Sequence, residues 1–270
     1  MAVRIFFQQV LCYKGNGLQK GDVLSRILLY AAICRRQFRR LAKPAFRLLY
    51  HGQKRFCPVC EIKSRKFLSF DRRMDARCPH CGALERHRLV WLYLSRKTNL
   101  FSGAPRTLLH VAPEPCLAPR LKKRLGKNYL SADLNRRRAM VRMDVTAIPL
   151  PDESLDAIYC SHVLEHVPDD RKALREFQRI LKHGAWAVLL VPISASRTME
   201  DPGIVTPRER KKAFGQEDHV RRYGPDFIDR LQEAGFSVLV GRTADLFSAE
   251  EIVTMGLTPA SGDIYYCSKA

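Results

Sequence analysis

Two close pairs of cysteines carry the strongest chemical signal in this 270-residue sequence. Cys57-Pro58-Val59-Cys60 and Cys78-Pro79-His80-Cys81 are separated by 17 residues, which is the spacing of a zinc site built from two C-x2-C pairs. Each pair can aim two thiolates at one ion, with a proline stiffening the turn, and Gly82 supplies the tight turn after the second pair. Four soft thiolates complete a tetrahedral shell with no position left for water. Cys57, Cys60, Cys78 and Cys81 are therefore expected to hold structural Zn2+, with His80 facing outward. The other five cysteines (Cys12, Cys34, Cys116, Cys160 and Cys267) have no framework spacing. That usage fits a reducing compartment and predicts a cytoplasmic protein, with peripheral residence at a membrane surface as the alternative. Arg72, Arg73, Arg77, Arg86 and Arg88 surround the second pair. They suit phosphate contacts, while Phe56, Phe67 and Phe70 suit the module's own small core.

Downstream, the chemistry-bearing residues are acids and histidines. Asp133 closes an apolar run 23 residues after His110, and a carboxylate beyond the carboxyl end of a parallel strand can accept both hydroxyls of a ribose. Gln216-Glu217-Asp218-His219 and Arg221-Arg222-Tyr223 form a dense polar group in an irregular stretch. That group is suited to an acidic or hydroxylated ligand, with loop anchoring as the competing reading. His219 is the catalytic candidate within it.

The elements that must position these residues alternate. The run RHRLVWLYLSRKTNLF predicts a helix burying Leu89, Trp91, Leu92 and Leu94. Then follow strand TLLHVA, helix APRLKKRLG, strand NYLSADL, a short strand in RAMVRMDV and strand LDAIYCS. Helix DDRKALREFQRILKHG, strand AWAVLLVPI, helix PDFIDRLQEAG and strands FSVLVG and DIYYCSK complete the series. Seven strands at this cadence predict a Rossmann-like, doubly wound, mostly parallel α/β sheet with helices on both faces and a small zinc-binding module in front. The expected organisation is a basic extension over 1–55, a zinc knuckle over 56–84 and a catalytic domain over 85–270, with a lid insertion at about 193–224. The extension's VLSRILLYAAIC run is short and interrupted by Arg26; an extension with little fixed structure is expected there, with a surface-lying basic helix as the alternative. No apolar stretch approaches the roughly 20 residues of a bilayer span.

Between Arg106 and Ile193 the sequence resembles the type 11 methyltransferase family of class I S-adenosylmethionine-dependent enzymes. LLHVAPEPC stands at the first cofactor loop, YLSADL at the ribose strand, and RMDVTAIPLPDESLDAIYCSHVLEHVPDD across the adenine region and fourth strand; RILKHGAWAVLLVPI covers the fifth. The resemblance implies S-adenosyl-L-methionine as cofactor, the Asp133 carboxylate on its ribose, and Asp144 with the Val145 backbone at its adenine. Ser161, at the end of the fourth strand, joins the cofactor set. His162 is implied as a substrate-side catalytic residue, with Glu165 and His166 bracing the structure. In the first loop, the family's acid becomes His110 and its glycines become Ala112, Glu114 and Cys116. Glu114, with His110, is expected to accept the cofactor's α-ammonium; a fold retained without catalysis is the other outcome.

Charge sharpens the partner question. The net charge of +20 is concentrated in residues 1–100, with 22 Lys and Arg against 5 acids; residues 101–270 carry 25 against 22. A basic front of this kind suits RNA or an anionic membrane surface. Three functions follow: methyl transfer to a small molecule or glycan, which is favoured because no base-specific catalytic loop is present; methyl transfer to RNA; and a non-catalytic zinc-containing nucleic-acid-binding protein on a methyltransferase fold. The acceptor and the oligomeric state are left open by the sequence.

Overall fold

The computed structural model describes residues 48–104 and 106–270, so the extension expected over 1–55 lies outside the described residues up to position 47. The chain divides into Met1–Leu49 and Tyr50–Ala270, and the architecture below is that of the second unit.

Its centre is a seven-stranded sheet: β5 (Leu108–Val111), β6 (Tyr129–Asp133), β7 (Val141–Arg142), β8 (Leu155–Ser161), β9 (Leu181–Leu190), β12 (Ser237–Gly241) and β13 (Ile264–Ser268). The spatial order is β12-β13-β9-β8-β5-β6-β7. β5 runs parallel to β6 and to β8, and β8 parallel to β9, whereas β13 is antiparallel to both β9 and β12. The expected mostly parallel sheet is thus realised, with β13 inserted in reverse. Inner strands read as near-continuous apolar runs because helices cover both faces. Leu108, Tyr159, Trp186 and Val188 pack to one side, and Leu109, Ile158, Ala187 and Leu189 to the other.

The second side is closed by α3 (Asp170–Ile180) and α5 (Phe227–Glu233), through Leu174, Phe177, Phe227 and Leu231. The first side is closed by α1 (Glu85–Arg96), α2 (Ala118–Leu125) and the cysteine module. That module consists of two hairpins, β1 (Arg55–Cys57) with β2 (Ile62–Ser64) and β3 (Leu68–Phe70) with β4 (Arg73–Arg77). Cys57, Phe67 and Cys78 share one continuous core with Leu108 and Trp186. The cysteine module and the sheet are therefore packed as one body through α1.

Three segments differ from the sequence expectation. Leu181-Lys182-His183-Gly184 begins β9 instead of ending a helix: Leu181 is extended and pairs with Leu155 of β8. Residues 242–258, for which no element was expected, form α6 (Thr243–Leu246) and α7 (Ala249–Met255), the latter opened by a Ser248/Glu251 capping box. The 193–224 insertion is ordered, with β10 (Met199–Glu200) paired to β11 (Arg221–Arg222) and α4 (Pro207–Phe214) between them. No helix of the described residues is long and apolar enough to cross a membrane.

Candidate cofactor site and four-cysteine centre

The hairpin turns of the module bring Cys57, Cys60, Cys78 and Cys81 together, with all four sulfurs within 4.8 Å of one another. Cys57 Sγ lies 3.6 Å from Cys81 Sγ and Cys60 Sγ 3.7 Å from Cys78 Sγ. A tetrahedron with Zn–S bonds of ~2.3 Å requires sulfurs ~3.8 Å apart, so the cage fits the ion expected from the sequence. His80 turns its Nε2 to the Ser64 hydroxyl at 3.1 Å.

Arg88 sets the limit of the arginine cluster as a phosphate surface. It is fully buried; its guanidinium lies over Phe67 at 4.3 Å and donates to the carbonyls of Ala76, Ala83, Met255 and Gly256 at 2.6–2.9 Å. Its charge faces the thiol groups of Cys57, Cys78 and Cys81. Arg73 is paired with buried Glu85 at 3.1 Å, leaving Arg72 and Arg77 as the exposed members. Phe67 is core, as one reading had it, while Phe70 is exposed.

The sheet order reverses between β5 and β8, and open α/β sheets bind ligands beyond the carboxyl ends of such strands. A cavity of about 400 Å3 lies there, lined by Ala112, Asp133, Asp144, Val145, Val163 and His166 among others. Two residues just beyond the ends of these strands, Ala112 (φ 48°) and His162 (φ 55°), sit in the left-handed region, where side-chain-bearing residues are uncommon. Asp133 Oδ1 accepts the Asn135 N–H at 2.7 Å, and Oδ2 has no partner among the described residues. Asp144 Oδ1 accepts from the backbone N–H and hydroxyl of Thr146, both at 2.8 Å; these bonds hold its carboxyl below the usual range.

The first loop is organised around Glu114. Its Oε2 lies 2.6 Å from His110 Nε2 and its Oε1 accepts the Tyr159 hydroxyl at 2.7 Å. Burial alone would raise this carboxyl's pKa, but the hydrogen bonds from His110 and Tyr159 outweigh it and hold it low. His110 is fully buried, with Tyr129 hydroxyl 2.9 Å from Nδ1. The structure thus places His110 behind Glu114, as its support, and not on the cavity wall.

His87, at the start of α1, is a residue that sequence reasoning missed. Its Nδ1 accepts the Leu84 N–H at 3.1 Å and lies 3.3 Å from Cys116 Sγ, so its proton sits on Nε2, which is buried without a partner. Burial lowers its pKa to about 4, against the pull of Glu114. No periodicity marks this position; only the fold brings the helix after the cysteine module against the loop that follows β5.

Beyond β8, Glu165 and His166 occupy a 3-10 turn, Leu164–His166. His162 Nδ1 is 3.2 Å from Glu165 Oε1. The insertion docks on this turn: Val220 N–H donates to the Glu165 carbonyl at 2.9 Å. Buried Arg221 donates to the carbonyls of Leu164 and Pro168, both at 2.7 Å. Arg221 and Arg230 also clasp Glu200 at 2.9 and 2.8 Å, Arg230 reaches Asp170 at 2.9 Å, and the Tyr223 hydroxyl donates to Asp170 at 2.6 Å. Arg221 and Tyr223 therefore anchor the segment and are not free for a ligand. His219 stands edge-on to His166, ring centroids 4.7 Å apart.

The cavity accordingly gathers Ala112, Asp133, Asp144 and Val145 of the expected cofactor set. His110, Glu114 and Ser161 belong to the strand ends behind it, with Ser161 buried at the end of β8. His162 and His219 flank the Glu165 turn.

Residues 105–189 match the family described as a methyltransferase domain. That match, together with the sheet order, makes this part of the chain similar to the class I S-adenosylmethionine-dependent methyltransferases. The chain is 26% identical over 106 residues to 2-methyl-6-phytyl-1,4-hydroquinone methyltransferase 1, chloroplastic, of Oryza sativa subsp. japonica, covering 36% of this chain and 32% of the relative. It is 26% identical over 134 residues to the corresponding Arabidopsis thaliana protein, covering 46% and 36%. The chain thus spans about a third of the length of each. A crystal structure of an S-adenosylmethionine-dependent methyltransferase from Mesorhizobium loti is similar over 66% of this chain and 95% of its own, with 16% identity and a TM-score of 0.47.

Proposed function

We propose that the protein transfers the methyl group of S-adenosyl-L-methionine to a small-molecule acceptor and that the four-cysteine centre holds structural Zn2+. The cavity at the β5/β8 reversal, rimmed by the Asp133 carboxylate at the end of β6 and the Asp144 carboxylate just beyond β7, is the observation that carries the reading. Asp133, with Oδ2 free, would take the ribose hydroxyls, and Asp144 with the Val145 backbone the adenine. Glu114, held ionised by His110 and Tyr159, places negative charge at the first loop, where a cationic cofactor is favoured. The cofactor supplies an electrophilic methyl group on a sulfonium. The chain's part is to align it with the acceptor in a dry pocket, and His162, one-third exposed beyond β8, stands where a proton leaving the acceptor can be taken.

Burial of Arg88 and pairing of Arg73 leave little of the module's arginine cluster for phosphate, which favours a small acceptor over RNA. The relatives named for a hydroquinone point the same way, and we extend that acceptor class, a hydroxylated ring, to this chain. Calorimetric titration of the full-length protein with S-adenosylmethionine tests the reading. Asp133→Ala should weaken binding by about 1.5–3 kcal/mol, roughly tenfold to 150-fold, the worth of hydrogen bonds to a charged group. A wild-type chain that binds no cofactor would return the fold to a non-catalytic role, and an unchanged affinity in the variant would move the ribose contact elsewhere.

A further inference from the structure

We propose that Glu165, His166 and His219 form a second metal site, separate from the four-cysteine centre, that takes a divalent first-row cation of the zinc type. One carboxylate oxygen and one ring nitrogen from each histidine lie within 4.8 Å of one another. Two come from the turn after β8 and the third from the insertion, joined by the Val220–Glu165 backbone bond.

Two independent observations point to a cation. The first is the carboxylate: Glu165 is 1% exposed, and its Oε2 is buried with no hydrogen-bond partner. A buried carboxylate oxygen left unpaired is expensive, and beyond the His162 ring at Oε1 nothing on the protein side offsets it. The second is how the imidazoles are held. His166 Nδ1 lies 3.2 Å from the Asp218 carbonyl, and the His219 ring stands edge-on to the His166 ring with centroids 4.7 Å apart. A carbonyl oxygen only accepts, so this contact fixes the His166 proton on Nδ1 and leaves a lone pair on Nε2. Metal-ligating histidines are oriented by this kind of N–H to carbonyl bond.

Two neutral imidazoles and one carboxylate are the donor set of open zinc sites, which keep at least one position for water or an oxygen ligand. Donors on a tetrahedral ion ~2.0–2.1 Å away sit roughly 3.4 Å apart, so binding would draw the three inward from their present limit of 4.8 Å. The ion would then tie the insertion to the turn whose His166 lines the cofactor cavity. The site does not depend on methyl transfer, and metal binding is read apart from cofactor binding.

The test is a Co2+ titration of the full-length protein as purified, with its thiolate centre already loaded. Cobalt in a nitrogen–oxygen site gives weak ligand-field absorption without the intense thiolate charge-transfer bands of the cysteine centre. One further equivalent of that kind should bind, raising total metal to two per chain. Glu165→Gln and His219→Ala should each weaken it at least tenfold, since even loss of an orienting partner costs 10–100-fold. In both variants the metal in the cysteine centre, measured after desalting, should be retained, which reports that the fold is intact. Absence of a second equivalent, cobalt that appears only with charge-transfer bands, or undiminished binding in both variants overturns the site.

Discussion

The sheet and the cysteine module solve one stability problem by different means. In the sheet, the inner strands of four to ten residues are largely buried on both faces, and apolar side chains such as Leu109, Ile158 and Phe177 fill the space. In the module, strands of three to five residues present few apolar groups, and units of that size seldom hold together on hydrophobic area alone. Four thiols and one guanidinium take its place. Arg88 ties carbonyls of the module at Ala76 and Ala83 to carbonyls at the end of α7, while Arg55 reaches the Val253 carbonyl at 3.0 Å and Arg96 pairs with Glu251 at 2.6 Å. Where apolar area is scarce, directional polar bonds fix the packing, and each becomes correspondingly costly to remove.

Arg88→Met is therefore expected to have the largest effect. The substitution keeps bulk but leaves four buried carbonyls without a donor, each bond to a charged group being worth about 1.5–3 kcal/mol. We expect a loss of about 4 kcal/mol in urea unfolding, with weaker metal retention in the cysteine centre. A conservative core change such as Leu109→Met should lose less than about 1.5 kcal/mol. Equal losses in the two variants would abolish the distinction between the two regions.

A second test falls on the residue joining the regions. Folded His87 takes up a proton only near pH 4, against about 6.5 for an unfolded histidine. As pH falls, the unfolded chain is protonated first, so stability drops between about pH 6.5 and about pH 4 and shows no further change from this group below that. The share lost between about pH 7 and about pH 5 is about 2 kcal/mol. His87→Asn, which keeps an acceptor for the Leu84 N–H, should flatten the dependence by that amount in paired urea titrations. An unchanged slope would show that the ring is not held neutral.

These residues also mark what was legible in the sequence. The cysteine cage needed only spacing, and β5, β6 and β8 needed only short apolar runs, β6 ending in Asp133, whereas Asp144 was implied by the family resemblance alone; Cys57 to Cys81 converge and both acids line the cavity. Partner identity is not written locally. Asp170, Glu200, Arg221 and Arg230 meet across up to 60 residues, and a surface-like Arg-rich string conceals that Arg88 is fully buried. The α6–α7 segment divides its apolar residues between helices of four and seven residues, too short for a periodic signal. Leu181 changed from helix to strand because pairing with Leu155 overrode the local pattern.

The smallest expected effect concerns Ala112, where the sequence departs from the family's glycine while the backbone does not: φ is 48°, and its N–H still donates to the Ala132 carbonyl at 2.8 Å. The left-handed conformation costs a residue with a Cβ roughly 1–2 kcal/mol. Glycine removes that strain but gains freedom in the unfolded chain worth about 0.5–1 kcal/mol. Ala112→Gly should therefore stabilise the protein by about 0.5–1 kcal/mol in urea unfolding and leave the cavity's acids in place, so cofactor affinity should hold or rise slightly. Ala112→Val, with a branched Cβ in the same conformation, should shift stability the other way and narrow the cavity that residue 112 lines. If glycine destabilises instead, the turn is not strained, and the loop has found a conformation in which alanine is the better residue.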